Sequence, residues 1–191
     1  MSTPFTLTPE NLEKAKAHLA KYPKGREASA VMPILDIAQR QNDGWLSKEA
    51  MDTVAAMVGL PVIRVYEVAT FYTMYNLKPV GKHHVQVCTN ISCMLRGSDA
   101  VVGACKKTLG INPGETSDDG QFTLVEVECL GSCSNAPMMQ IGDDYYEDLD
   151  ATSTEAVLSA LKKGETPAPG PQSGRKGAEP LGGLTCLKED A

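Results

Sequence analysis

The sequence lacks the features that mark several large classes of protein. In its 191 residues no apolar run approaches the roughly 18 residues that a membrane-spanning helix needs. The first residues contain no basic region followed by an apolar stretch, so we expect no secretory signal. Positive charge is scarce, because 18 Lys and Arg are outnumbered by 24 Asp and Glu and leave a net charge of −6. We therefore expect no direct membrane insertion and no binding to nucleic acid.

Motifs for nucleotide binding and for hydrolysis are also missing. The sequence has no G-x-G-x-x-G segment and no Walker A loop. No Ser–His–Asp arrangement and no paired carboxylates stand out, so we expect no complete active site in this chain alone. Hydrophobic residues nevertheless make up 42%, which is enough to bury a core. The chain contains six cysteines, and in the reducing cytoplasm where we place it they need an explanation other than disulfides.

Residues 1–80 are predicted to be helical. Thr8 and Pro9 are typical of a helix start, a second helix is predicted from about Ser29, and Ser47 is typical of the cap of a third. Pro61 is predicted to open a short fourth helix. This segment brings no reactive side chains together in sequence, which favours a docking role.

Residues 81–164 have the pattern of an α+β domain, in the order β-α-β-β-β-α. Strands are predicted at 84–89 and 122–128, and a hairpin at 138–146. One helix is predicted over 95–109, and a second begins at a capping box formed by Thr152 and Glu155. Residues 165–191 differ, because from Gly164 onward 10 of 28 residues are Gly or Pro and none is aromatic. We expect this tail to be disordered or to lie along a partner.

Four of the six cysteines form two spaced pairs. Cys88 and Cys93 follow the first predicted strand, and Cys129 and Cys133 follow the second. If these strands are neighbours in one sheet, the four thiols converge at its edge. Four thiolates bind either zinc or an iron–sulfur cluster. The spacings, with four and three intervening residues, are wider than the tight pairs usual at zinc sites and favour a 2Fe–2S cluster, while zinc and redox-active thiols remain alternatives.

The composition around the pairs also suits an anionic cluster. The loops that follow Cys88 and Cys129 are small or polar and contain no acid, and Gly131 allows backbone amides to turn inward. A helix that starts near Met94 would direct its N-terminal amides at the site, and Arg96 is either a nearby positive charge or an exposed surface residue.

Two further cysteines are not expected to be ligands. Cys105 lies on the apolar face of a predicted helix and is expected to be a small buried side chain. Cys186 lies in the tail and is expected to be a free thiol.

Three segments carry a resemblance to a known family. Residues 64–72 (RVYEVATFY), 87–93 (VCTNISC) and 128–137 (ECLGSCSNAP) closely resemble the 24 kDa subunits of respiratory complex I, the NADH:quinone oxidoreductase. The resemblance covers about residues 25–164. The tail, in 170–175 and 182–185, looks like that of the mitochondrial and alphaproteobacterial branch.

The resemblance implies a fold, a cofactor and partners. The fold would be an N-terminal helical bundle, followed by a thioredoxin-like domain that holds a 2Fe–2S cluster on Cys88, Cys93, Cys129 and Cys133. The cluster would exchange electrons with FMN on a flavoprotein subunit that also binds NADH, among the other peripheral-arm subunits of complex I. The location would be the cytoplasmic side of the inner membrane, or the matrix side in a mitochondrion. The alternatives are a diaphorase subunit of an NAD-linked formate dehydrogenase or hydrogenase and, with less support, a zinc-stabilised interaction module.

Overall fold

A computed structural model describes residues 4–180, 182–183 and 185–186. It divides the chain into two units, and the boundary in sequence lies between Val80 and Gly81. We call the part before this boundary the helical unit and the part after it the sheet unit.

The helical unit contains four α helices: α1 (Pro9–Leu19), α2 (Val31–Gln41), α3 (Lys48–Val58) and α4 (Val62–Phe71). Side-chain caps start two of them, since the Thr8 hydroxyl accepts a hydrogen bond from the Asn11 N–H at 3.3 Å and the Ser47 hydroxyl accepts one from the Ala50 N–H at 3.1 Å. Gly59 ends α3 in the left-handed conformation at φ +67°. The predicted starts of α1, α3 and α4 are therefore confirmed, while α2 begins after a short 3₁₀ turn, Glu27–Ala30.

The four helices share one apolar core but leave part of α4 uncovered. The largest fully buried side chains of the unit are those of Ile34, Leu35, Leu46, Val54 and Val65. Exposed apolar side chains gather on α4 and just after it: Val62, Ile63, Phe71, Tyr72, Met74 and Leu77. In the described part of the chain no single helix is long and apolar enough to cross a membrane; α3 and α4 meet that length and composition only as a pair, with a bend of 119° between them.

The sheet unit is built on a five-stranded sheet with the order β2-β1-β3-β4-β5. Its strands are β1 (His83–Cys88), β2 (Phe122–Val127), β3 (Met139–Ile141), β4 (Asp144–Glu147) and β5 (Gly170–Pro171), and its helices are α5 (Ile91–Leu95), α6 (Ser98–Leu109) and α7 (Ala151–Lys162). Strands β1 and β2 are parallel neighbours, as are β4 and β5, whereas β3 is antiparallel to both β1 and β4. The predicted 138–146 hairpin is the β3–β4 pair.

Alternate residues of β1 place this sheet against two helices. Val85 and Val87 lie on one face of β1 and are fully buried, in a core shared with Val101 of α6 and Leu158 of α7. Helices α6 and α7 therefore cover that face and hold β1 and β2 in fixed register, with Cys88 opposite Val127.

Two predicted helix boundaries are wrong. The helix expected over 95–109 begins three residues later, as α6, because Gly97 at φ +98° separates it from the short helix α5, of which only Leu95 lies in the predicted range. Helix α7 begins before the expected capping box: Asp150 accepts from the Ser153 N–H at 2.7 Å, and the Ser153 hydroxyl accepts from the Asp150 N–H at 2.9 Å. The same kind of cap therefore forms two residues earlier than the sequence pattern indicated.

The expectation for the tail is also wrong for its described residues. Strand β5 pairs with β4, and the Tyr146 hydroxyl donates to the Pro167 carbonyl at 3.3 Å. Arg175 forms an ion pair with Asp148 at 2.5 Å. The tail thus lies along its own domain, and backbone pairing and polar contacts hold it there. The sequence prediction for the tail relied on its low apolar content. It missed these contacts because they bury little apolar surface.

Candidate metal centre

The two cysteine pairs lie at the same edge of the sheet. Cys88 is the last residue of β1, and Cys129 follows the end of β2 by two residues. Because β1 and β2 are parallel and in register, both strands deliver their following loops to this edge. The predicted convergence of the two loops is therefore what the structure shows.

One pair is buried. Cys88 is 2% exposed and Cys93, within the short helix α5, is 1% exposed. Burial and a hydrogen bond with Cys88 raise the pKa of the Cys93 thiol to about 12. The Met138 backbone works in the other direction and lowers the Cys93 pKa by hydrogen bonding to the sulfur.

The other pair is exposed. The sulfur atoms of Cys129 and Cys133 lie 3.3 Å apart. Their interaction lowers the pKa of Cys129 and raises that of Cys133. A hydrogen bond from the Gly131 backbone also lowers the Cys129 pKa, and one from the Ser92 side chain opposes the rise at Cys133.

The pairs are close enough to act on each other. The charge of Cys133 contributes to the raised pKa of Cys93, and the charge of Cys88 contributes to the raised pKa of Cys133. The positive charge of a cation bound among these sulfurs would offset that repulsion. It would also stabilise the deprotonated form of each thiol, which is the form that binds a metal.

The donor set fits a two-iron cluster. The four thiols form two pairs, Cys88 with Cys93 and Cys129 with Cys133. A 2Fe–2S cluster has two terminal thiolates on each of its two irons. Amide groups of Gly131 and Met138 and the hydroxyl of Ser92 provide hydrogen bonds that stabilise thiolate charge.

Further contacts join the two ligand loops to each other and to β4, and the sequence analysis did not identify them. The Asn90 amide donates to the Glu128 carboxylate at 2.5 Å and so connects the loop after β1 to the residue before Cys129. Ser132 and Asn135 both donate to Glu147, the last residue of β4. Of these residues, only Asn90 carries a recognisable sequence signal, because asparagine is typical of a helix N-cap. Asn90 is indeed the N-cap of α5.

The remaining predicted positions fall outside the thiol group. Cys105 is completely buried in the α6 core, where burial raises its pKa to about 12, and Cys186 is exposed. The Arg96 Nε lies 3.5 Å from the Ala136 carbonyl, so this exposed arginine reaches the segment that follows Cys133. The helix start expected near Met94 is that of α5 at Ile91, three residues earlier, so Cys93 and Met94 lie inside α5.

Comparison with known proteins assigns the chain to a family. The model of the thioredoxin-like [2Fe-2S] ferredoxin family matches residues 15–162. The chain belongs to this family. Its cofactor is accordingly a 2Fe–2S cluster, which the paired thiols fit.

Relatives with curated names cover most of the chain. It is 54% identical over 187 residues to the mitochondrial NADH dehydrogenase [ubiquinone] flavoprotein 2 of Dictyostelium discoideum, which covers 98% of this chain and 76% of that protein. It is 52% identical over 160 residues to a subunit of the NADH-quinone oxidoreductase of Rickettsia bellii, which covers 84% of this chain and 96% of that protein. The chain is thus a member of the same family as these two proteins.

A solved structure shares the fold at low identity. A chain of an NAD⁺-reducing [NiFe]-hydrogenase in the air-oxidized state superposes with a TM-score of 0.59 at 20% identity, over 68% of this chain and 23% of that chain. This likeness concerns the fold alone, and the thioredoxin-like description rests on the family match.

Proposed function

We propose that this chain is the electron-transfer subunit of an NADH:quinone oxidoreductase and holds one 2Fe–2S cluster on Cys88, Cys93, Cys129 and Cys133. The observation that carries the proposal is the delivery of two cysteine pairs to one sheet edge by the parallel strands β1 and β2. The assembly is inferred from relatives with 52–54% identity, which are named as subunits of NADH dehydrogenase or NADH-quinone oxidoreductase.

The side chains divide the work of holding the cluster. When bound, the cluster accepts and returns single electrons. Cys88 and Cys93 provide the buried ligands, and Cys129 and Cys133 provide the exposed ones. The amides of Met138 and Gly131 offset the negative charge that accumulates on the sulfurs and thereby favour reduction.

Electrons reach this chain from a partner. The resemblance to the complex I subunits implies that FMN and NADH lie on a neighbouring flavoprotein subunit. The absence of a phosphate-binding glycine loop from this sequence is consistent with that division. The exposed cysteine pair provides a place where a neighbouring redox group can come close. The helical unit, a four-helix bundle with exposed apolar side chains on α4, serves in docking to peripheral-arm subunits. Through that assembly the chain lies on the cytoplasmic side of the inner membrane, or on the matrix side in a mitochondrion.

The diaphorase alternative receives less support. The hydrogenase likeness, at 20% identity, concerns the fold. The relatives at 52–54% identity are named as subunits of NADH dehydrogenase or NADH-quinone oxidoreductase. A zinc module is disfavoured because the family model that matches residues 15–162 is that of a [2Fe-2S] ferredoxin.

Anaerobic reduction of the purified full chain tests the proposal. Dithionite should give a rhombic 2Fe–2S signal in electron paramagnetic resonance (EPR), whereas NADH alone should leave the cluster oxidised. Addition of the flavoprotein subunit with NADH should give at least partial reduction. Oxidation of NADH by the single chain without flavin would contradict the proposal, and so would a colourless protein that contains zinc.

A further inference from the structure

The segment that carries Cys133 is held on one side by the end of β4. We call residues 132–137 the ligand segment. The Asp148 N–H donates to the Asn135 carbonyl at 2.8 Å, and the Leu149 N–H donates to the Pro137 carbonyl at 2.9 Å. These backbone bonds fix the path of the segment after Cys133, but none of them involves the neighbouring Ser134.

The tail holds the ligand segment from the other side. The Arg175 Nη2 donates to the Ser134 carbonyl at 2.9 Å. The Asn135 side-chain amide donates to the Gly177 carbonyl at 2.9 Å. The ligand segment therefore lies between two parts of the chain that are more than 20 residues apart in sequence, and Arg175 contacts the residue next to Cys133.

Arg175 is itself fixed by Asp148. Its Nε and Nη2 each lie 2.5 Å from a carboxylate oxygen of Asp148, and the two side chains are only 11% and 8% exposed. Its Nη1 donates to the Glu179 carbonyl at 2.9 Å, so all three nitrogens have partners. A planar guanidinium can make these contacts at once, whereas a lysine ammonium acts from a single point.

Asp148 joins both sides of the arrangement. It adopts φ +51°, a left-handed conformation that Asp tolerates better than most residues. In this conformation its N–H bonds to the ligand segment while its carboxylate accepts from Arg175 and, at 2.7 Å, from the Ser173 hydroxyl. One residue thus couples the position of the tail to the position of the segment.

The need for such a contact follows from the exposure of Cys133. Cys88 and Cys93 are fixed by burial among a strand and a helix, but Cys133 is exposed and begins a 3₁₀ turn of only three residues. We propose that Arg175 is a positioning residue that, through the Ser134 carbonyl and the Asp148 carboxylate, holds the ligand segment in the geometry that Cys133 needs to bind the cluster. This inference rests on the ligand set proposed above.

The test uses the full chain with its cluster and compares three variants. Arg175→Met removes the contacts, and Arg175→Lys keeps the charge without the fork of donors. Lys176→Met is the matched control, because it removes the same charge from an exposed neighbour. For each protein we would measure the rate at which an iron chelator removes iron, the EPR g values after reduction by dithionite, and amide hydrogen exchange in residues 132–137 and in β1.

The expected results separate positioning from general stability. Because substitutions of residues that orient metal ligands typically cost 10–100-fold in metal affinity, Arg175→Met should release iron about tenfold faster than wild type and shift the g values. Exchange should rise in residues 132–137 and stay unchanged in β1, and Arg175→Lys should fall between wild type and Arg175→Met. Lys176→Met should match wild type in every measurement.

Two outcomes would overturn the inference. One is an Arg175→Met chain with the iron release, g values and exchange of the control. The other is exchange that rises equally in β1, which would make Arg175 a general stabiliser. If Arg175→Met does not accumulate, Arg175→Lys carries the same comparison. A wild-type chain without a cluster would contradict the proposed function, and the exchange data would still decide whether Arg175 orders the segment.

Discussion

The two cysteine pairs that we propose as ligands of one cluster lie in opposite surroundings. Cys88 and Cys93 are 2% and 1% exposed, on an interior strand and a short helix, whereas Cys129 and Cys133 are exposed, on a loop and at the start of a 3₁₀ turn. Secondary structure and packing surround the first pair, whereas hydrogen bonds to β4 and to the tail are made by Ser132 and Ser134, the two neighbours of Cys133. The site is thus anchored to the core on one side and open on the other, where a partner can exchange electrons at short range.

Substitution of the ligands should have the largest effect and should separate the pairs. Each of the four changes to serine should remove most of the bound iron and sulfide. Cys88→Ser and Cys93→Ser should also lower the free energy of unfolding of the metal-free protein, because they bury a hydroxyl group. Cys129→Ser and Cys133→Ser should leave that free energy close to wild type.

Cys105→Ala and Cys186→Ser are the controls for this series and should keep full iron and sulfide content. Normal loading in any of the four ligand variants would show that the ligand set is wrong. Equal destabilisation by all four would remove the distinction between a buried and an exposed pair.

Chemical labelling should reveal the same asymmetry without mutation. In protein stripped of iron by a chelator, iodoacetamide should modify Cys129 and Cys133 at least about ten times faster than Cys88 and Cys93, because the reagent cannot reach a buried thiol. Peptide mass spectrometry assigns each site. Exposed Cys186 provides the internal reference for a free thiol, and equal rates at all four ligands would mean that the first pair is not buried in solution.

A comparison of two glycine substitutions tests the loop that carries the exposed cysteine pair, with a smaller expected effect on stability. Gly131 has φ +90° with open space where a Cβ would stand, so Gly131→Ala should destabilise the sheet unit by about 1–2 kcal/mol through backbone strain alone. Gly103 lies inside α6 with similar open space, and Gly103→Ala should stabilise it by about 0.5–1 kcal/mol. Urea unfolding of the metal-free proteins measures both. A neutral Gly131→Ala would mean that the loop relaxes without strain.

The smallest expected effect is a pH dependence on the strand side. Burial lowers the pKa of His84 in β1 below its ordinary value of about 6.5. At pH values well above 6.5 the imidazole is neutral in both the folded and the unfolded chain, so its protonation does not make the stability depend on pH. As the pH falls below this value, the unfolded chain binds the proton more readily and stability declines.

The urea midpoint should therefore drop between pH 7.5 and pH 5.5, and His84→Gln should reduce that drop. His18→Gln, in the helical unit, is the matched control and should not change it. An identical pH profile for wild type and His84→Gln would contradict the assigned burial.

The sequence predicted the convergence of the cysteine pairs better than it predicted the contacts around them. The cysteine spacing placed four thiols at one edge on condition that the two strands are neighbours, and the parallel pairing of β1 and β2 meets that condition. The break at Gly97 was missed because a glycine within an amphipathic pattern also fits a continuous helix. The docking of the tail was missed because Arg175 and Asp148 are 27 residues apart and carry no local pattern. Pairing over such distances depends on the folded chain.

The stoichiometry and spin state of the purified full chain decide whether both cysteine pairs hold one 2Fe–2S cluster. We expect two irons and two acid-labile sulfides per chain, and a single rhombic S = 1/2 signal after the addition of one electron. Because the proposed ligand set places both pairs on one cluster, serine variants from either pair should lose iron and sulfide together. One zinc per chain, or iron retained without sulfide, would show that the two pairs do not share such a cluster.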